Sequence, residues 1–239
     1  NKYFEYNNRD DLSCIRYEIT GDTVNRNVKV IEYAYDEIGR KSSCKLHDGA
    51  EEIHYSYHIA GMLTAAVAAH FSYNLDYEEI NISGATPRYD KNINAVRWKY
   101  GNEKDQAYIY EYDPLKYLVS AHYLEKRNEV WQNSLGSYNV QGLTYNDNGN
   151  LTRLKRYGSD GSLMNDLVYH YNNLQNRNVI TKITDKNVNS SEYIYDKLGN
   201  MIFDGRREVN ISYNLLNLPY KINKDSENII YIYSASGEK

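Results

Sequence analysis

Apolar and polar residues alternate over short stretches of this chain. In Tyr108-Ile109-Tyr110-Glu111-Tyr112 and Ile229-Ile230-Tyr231-Ile232-Tyr233, aromatic or β-branched residues recur at every second position, which lines one face of a strand. Such stretches run into a tyrosine, then Asp, Asn or another polar residue, then a short turn. Examples are Tyr33-Ala34-Tyr35-Asp36-Glu37-Ile38-Gly39-Arg40 and Tyr193-Ile194-Tyr195-Asp196-Lys197-Leu198-Gly199-Asn200-Met201. The unit recurs from end to end at a spacing of roughly 20 residues, and self-similarity of that kind marks an array whose units cannot bury their apolar faces alone. The expected fold is all-β: tandem antiparallel β-hairpins coiling into an open spiral, a barrel-like or shell-like sheet that hides one face and most edges. Residues 1–239 are expected to form one continuous array and to be a fragment of a larger protein, since Asn1-Lys2-Tyr3-Phe4-Glu5-Tyr6 already lies inside a repeat.

The turn has a chemical logic. Asp or Asn after the tyrosine hydrogen-bonds its own backbone two residues on, and a glycine three residues later supplies a positive φ. Together these predict a type I turn closed by a glycine bulge. The motif positions are Tyr35, Asp36 and Gly39; Tyr57 and Gly61; Tyr112 and Asp113; Tyr145, Asn146 and Gly149; Tyr171 and Asn172; Tyr195, Asp196 and Gly199; Tyr213, Asn214 and Asn217; and Tyr233 and Gly237. Asn217 stands in for glycine as the next best residue for that backbone. Leu12, Met62-Leu63, Leu118, Leu151, Met201-Ile202 and Leu218 restart the return strands. Asp10, Lys116 and Gln175 occupy the glycine place in other units, where altered or looser turns are expected, and Tyr89-Asp90-Lys91-Asn92-Ile93 is read as a shorter turn.

Two stretches are rich enough in helix formers to compete with this pattern. Ala60 to His70 holds five alanines but aligns with the return strand Gly149-Asn150-Leu151-Thr152-Arg153, which favours strand. Tyr117 to Gln132 reads equally well either way.

Composition sharpens the picture. The 27 Tyr against 3 Phe put nearly all aromatic mass into a residue that buries a ring while keeping its hydroxyl wet, which suits half-shielded sheets stacked as tyrosine ladders. A mean hydropathy of -0.77 agrees that no thick aliphatic core is built. The formal net charge of -4, with both signs interleaved, offers no basic stripe, so nucleic acid is excluded as an expected partner. No apolar run approaches the roughly 20 residues of a membrane-spanning helix, so membrane insertion is not expected. Cys14 and Cys44 read as two small buried side chains, with a disulfide between neighbouring hairpins as the alternative.

Chemistry is sparse. His54 and His58 on one strand face would lie about 13 Å apart, too far to share a metal. Asn146-Asp147-Asn148-Gly149-Asn150 mimics a calcium loop without its acidic twelfth position and is read as a hairpin turn. No nucleophile elbow or phosphate loop occurs, and Asp10-Asp11, Glu51-Glu52 and Glu78-Glu79 would point to opposite faces on strands. Catalytic, metal and cofactor residues are therefore expected to be none, and the chain is not expected to be an enzyme. Trp98 and Trp131 are the first candidates for stacking on sugar rings, against the plainer reading of cross-strand packing. Exposed edge strands would also permit self-association.

The unit Tyr-x-Tyr-Asp-x-x-Gly-Asn/Arg-Leu, with Tyr145-Asn146-Asp147-Asn148-Gly149-Asn150-Leu151-Thr152 and Ile211-Ser212-Tyr213-Asn214-Leu215-Leu216-Asn217-Leu218-Pro219, resembles the rearrangement-hotspot (Rhs) or YD-repeat family of bacteria across essentially the whole chain. That resemblance implies a spiral of hairpins forming part of a hollow shell in a large secreted or cell-surface protein. Such shells enclose or display a polymorphic toxin, and similar repeats are linked to carbohydrate binding and cell contact. The implied partners are the remainder of the parent chain, with further repeats and a C-terminal toxin, and glycans.

Overall fold

The computed structural model describes residues 1–21, 25–133, 135–172, 178–186 and 189–239. The chain folds as two compact units, one of Asn1–Glu111 with Ala121–Ser134, the other of Tyr112–Ser120 with Leu135–Lys239. Its strands, in chain order, are β1 (Lys2–Tyr6), β2 (Leu12–Thr20), β3 (Asn25–Tyr35), β4 (Lys41–Leu46), β5 (Glu51–Tyr57), β6 (Leu63–Val67), β7 (Phe71–Asp76), β8 (Ala95–Tyr100), β9 (Gln106–Tyr112), β10 (Leu118–Arg127) and β11 (Val130–Gln132). They continue as β12 (Val140–Tyr145), β13 (Leu151–Tyr157), β14 (Leu163–Asn172), β15 (Val179–Asp185), β16 (Asn189–Tyr195), β17 (Met201–Asp204), β18 (Val209–Tyr213), β19 (Pro219–Lys224) and β20 (Glu227–Ile230). The fold is all-β. In the first unit β1 to β9 pair in sequence order and antiparallel, and in the second β12 to β20 do the same.

The predicted turn is built as its chemistry requires. At residues 36–40 the Gly39 N–H donates to the Asp36 carbonyl (3.1 Å) and the Asp36 N–H to the Arg40 carbonyl (2.8 Å). The Asp36 side chain accepts from the backbone of Ile38 (3.1 Å) and Arg40 (2.8 Å). Gly39 has φ of 86°, and the register slips by one between Ala34 and Tyr35, which is the bulge. Asn146, Asp196 and Asn214 repeat this pattern with side-chain acceptor distances of 2.8–3.0 Å.

The turns without glycine are not looser. Asp10 (φ 60°) and Lys116 (φ 70°) adopt the left-handed conformation and close the same pair of backbone bonds, at 3.0 and 2.9 Å around Asn7 and 2.9 and 2.9 Å around Asp113. The side chain that opens the turn holds it firmly enough to carry a non-glycine residue through positive φ. The third such position, Gln175, lies outside the described residues. A further turn, Gly158–Ser162 with Gly161 at φ 75°, escaped the tyrosine-centred reading because glycine follows Tyr157.

Seven tyrosine hydroxyls along the array are not left to water. Tyr35 donates to the carbonyl of Leu12 (2.7 Å), Tyr57 to Lys41 (2.8 Å) and Tyr77 to Leu63 (2.9 Å). In the second unit Tyr145 donates to Leu118 (2.8 Å), Tyr171 to Leu151 (2.8 Å), Tyr213 to Met201 (3.0 Å) and Tyr233 to Pro219 (2.9 Å). Each acceptor lies two residues beyond the positive-φ residue of the preceding turn, so each of these seven tyrosines fastens its hairpin to the one before.

The local expectations divide. Ala60 to His70 contains strand β6, and Tyr117 to Gln132 contains β10 and β11. The last strand stops at Ile230, and Tyr231 adds one more bond, from its N–H to Tyr220 (2.8 Å). His58 is not on a strand: β5 ends at Tyr57, and the His58 ring takes the turn-opening place, its Nδ1 accepting from the Ala60 N–H (3.1 Å). Glu78-Glu79 and Tyr89–Ile93 both fall in the connection 77–94 between β7 and β8, so neither sits on a strand or closes a hairpin. Cys14 and Cys44 are free thiols, 4% and 2% exposed, and burial raises both pKa values. Cys14 lies opposite Glu32 and Cys44 opposite Tyr33, successive residues of β3, so the two sulfurs stand on opposite faces and cannot bridge.

Candidate functional site

The repeat is broken most strongly at β7–β9 in the first unit, where residues 77–94 interrupt the hairpin rhythm. Register defines two faces there. One carries the row Ser56, Ala65, Asn74, Arg97 and Ala107; the other carries Tyr55, Ala66, Tyr73, Trp98 and Gln106.

On the Arg97 face the connection folds back as a cover. Ile82 (1% exposed) and Ala85 pack on Ala95, Ala107 and Ile109, with Leu124 and Trp131 against them. Alanines at 95 and 107 leave the depth that Ile82 fills, which burial of an aliphatic side chain rewards by about 2 kcal/mol. Asn94, fully buried, ties the connection down by donating its amide to the carbonyls of Tyr77 (2.8 Å) and Glu79 (2.9 Å). Asp76, 5% exposed, receives both arms of the Arg97 guanidinium at 2.8 Å, and the Asn81 amide at 3.0 Å. Beside this ion pair opens a cleft of about 650 Å³. Ser56, Thr64, Asn74 and Arg97 lie along it, with His58, Glu78 and Glu79 and the chain at Tyr57 and Tyr77. It offers hydroxyls, amides and charges of both signs. Among the described residues no three His, Cys, Asp or Glu side chains gather as metal ligands.

The other face is aromatic. Trp98 stacks on Tyr108 (centroids 5.6 Å apart, planes 23°) and tilts against Tyr123 (6.2 Å), while Tyr108 stacks on Tyr110 (6.2 Å). Phe71 lies 6.2 Å from Tyr73 and 6.3 Å from Tyr100. Between these rings and β5 runs a trough of about 320 Å³ over Ala66, with Glu51 and His70 hydrogen-bonded at one end. The bond from His70 lowers the pKa of Glu51, which keeps that carboxylate charged.

The structure thus places the two candidate tryptophans on opposite faces. Trp98 belongs to a cross-strand aromatic cluster and Trp131 to the alanine-lined core, although both border a small cleft of about 130 Å³ with Arg97 and Asp105. The motif residues, by contrast, are brought together as the turn-and-hydroxyl system described above. Burial raises the pKa values of Tyr35, Tyr77, Tyr145, Tyr171 and Tyr213. At Asp36 burial opposes ionisation, but the Arg40 side chain and backbone outweigh it and hold the carboxylate pKa down. At Asp196 the Asn200 amide and backbone do the same. Sequence reading missed the trough and the cover because both depend on which residues face each other across strands.

No protein-family model matches the chain, and no curated protein matches it in sequence. Solved structures do share its fold. The crystal structure of TcdB2-TccC3-TEV matches 96% of this chain at 12% identity with a TM-score of 0.53. That of TcdB2-TccC3 without its hypervariable C-terminal region matches 97% at 13% identity with a TM-score of 0.51. The chain spans 15% of the length of each. At such identities the likeness is one of fold: consecutive antiparallel hairpins recur in a much longer chain.

Proposed function

We propose that the chain is a non-catalytic structural module, part of the hollow β-shell wall of a large Rhs or YD-repeat protein that is secreted or surface-borne in bacteria. Its role there is to enclose or display a toxin, or to make contact with another cell. The observation that carries this reading is the recurrence, in seven described hairpins, of a tyrosine hydroxyl bonded to the carbonyl two residues past the preceding turn. A wall needs each element fastened to the last, and here the most repeated side chain does that task. The fold shared with TcdB2-TccC3, solved without its hypervariable C-terminal region, supports a framework that precedes a variable segment. Electron microscopy of the complete natural protein bearing these residues tests the reading: a hollow particle is expected, and a solid particle or an extended rod would refute it.

A second reading, carbohydrate contact, is favoured by the 650 Å³ cleft, where the hydroxyl-bonding side chains of Ser56, Thr64, Asn74 and Arg97 gather. A glycan array comparing the native chain with Asn74→Ala and Trp98→Ala decides it. Selective binding lost in Asn74→Ala places a glycan in the cleft, loss in Trp98→Ala places it on the aromatic face, and a blank array with folded protein removes this reading.

A further inference from the structure

The aromatic trough has a geometry of its own, independent of the wall reading. Tyr55 and Tyr73 both stand opposite Ala66, one on each neighbouring strand. Strands lie about 4.8 Å apart, so β5 and β7 are separated by about 9.6 Å, with only a methyl group between the two tyrosines. Side chains rise roughly perpendicular to a sheet. A group centred over Ala66 therefore lies about 4.8 Å from each flanking ring, within the roughly 6 Å at which a cation is attracted to a ring face. A flat ring, which packs at about 3.5–4.0 Å, would touch one wall and leave the other empty.

Two more rings widen the enclosure. Phe71 is 44% exposed and Tyr100 60% exposed, and their planes are inclined by 51° rather than stacked. Glu51 supplies a carboxylate at one end. Elsewhere on the same unit the chain's own cations cover tyrosines: Lys41 Nζ lies 4.1 Å from the Tyr33 centroid and the Arg40 guanidinium 4.5 Å from that of Tyr57. Among the described residues, no such cation lies over Tyr55, Phe71, Tyr73 or Tyr100. We propose that this trough is a binding site for an alkylammonium group, with trimethylammonium the best fit, held by the faces of Tyr55, Phe71, Tyr73 and Tyr100 and by the Glu51 carboxylate.

Choline is the probe, titrated into the protein and followed by calorimetry and by proton NMR of the aromatic signals. The control ligand is the uncharged alcohol in which carbon replaces the choline nitrogen, since it has the same shape and no charge. Saturable choline binding is expected, with the isostere at least about tenfold weaker. Tyr100→Leu and Glu51→Gln are each expected to weaken choline about three- to tenfold; the thermal midpoint should stay near native in Tyr100→Leu, whose side chain is exposed, and fall only slightly in Glu51→Gln, which keeps an amide oxygen for the bond from the His70 backbone. Equal affinity for the isostere would show an apolar slot with no preference for charge and would overturn the proposal. So would the absence of saturable binding into the tens of millimolar. If Tyr100→Leu loses stability, Glu51→Gln alone decides, since it leaves every ring in place.

Discussion

The hydroxyl of Tyr145 donates to the carbonyl of Leu118 at 2.8 Å, across 27 residues of chain and from one hairpin to the one before. The same ring stacks on Tyr117 with centroids 4.7 Å apart. Tyr145→Phe keeps the stack and deletes only the donor. A loss of about 1 kcal/mol is expected from urea unfolding, the usual net value of one hydrogen bond. An unchanged midpoint would show that water replaces the bond at no cost.

Alkali should act on the whole set together. Burial raises the pKa values of Tyr35, Tyr77, Tyr145, Tyr171 and Tyr213 above the ordinary tyrosine value. The unfolded chain therefore releases these protons first, and their stabilisation is complete below about pH 10 and falls as pH rises through the folded-state values. Thermal melts across this range, read beside tyrosinate absorbance, should show the midpoint dropping as the phenols ionise. A midpoint that holds steady through full ionisation would contradict the assignment.

The turn at Asn146 is incomplete. Asp196 uses one oxygen for the backbone and offers the other to the Asn200 amide at 2.9 Å. Asn146 presents an amide where Asp196 presents that second oxygen, and among the described residues the buried Asn150 Nδ2 has no partner. Asn146→Asp is expected to stabilise the protein by about 1 kcal/mol at neutral pH. The new carboxylate should share the lowered pKa of Asp196. Its gain is then present above the unfolded value near about pH 4 and is lost as pH falls through the folded one. Asp196→Asn should show the converse loss, and chemical denaturation of both variants at neutral and acid pH reads the pair.

Two glycines separate space from strain. A Cβ on Gly205 would lie 2.3 Å from the Glu192 carbonyl oxygen and 2.7 Å from its nitrogen, against backbone that cannot move aside. Gly39 has open space but φ of 86°. Gly39→Ala is expected to cost about 1 kcal/mol from its backbone conformation. Gly205→Ala is expected to cost about 2–3 kcal/mol from overpacking. Equal midpoints for the two variants would contradict this ordering.

Much of this was legible in the residues. Period-two alternation and the Asp–Gly turn chemistry locate the hairpins around Gly39, Gly149, Gly199 and Asn217, because both signals are local. They underrate Asp10 and Lys116, where the opening Asn7 and Asp113 carry the turn without glycine. The destination of the tyrosine hydroxyls could not be read, since the acceptor is an anonymous backbone carbonyl 12 to 27 residues away. Ala95 and Ala107 look unremarkable in sequence and become a core only when 77–94 folds over them. Ala66 likewise gains meaning from Tyr55 and Tyr73 beside it, a fact of register alone.

In every described hydroxyl bond of this series the donor comes later in the chain than its acceptor. The array therefore has a grammatical direction: each phrase closes the one already spoken. A polypeptide emerging from the ribosome N-terminus first would always find the receiving carbonyl made before the tyrosine that seeks it. Construction can proceed hairpin by hairpin, like bricks laid in courses, with no element waiting for a partner not yet synthesised.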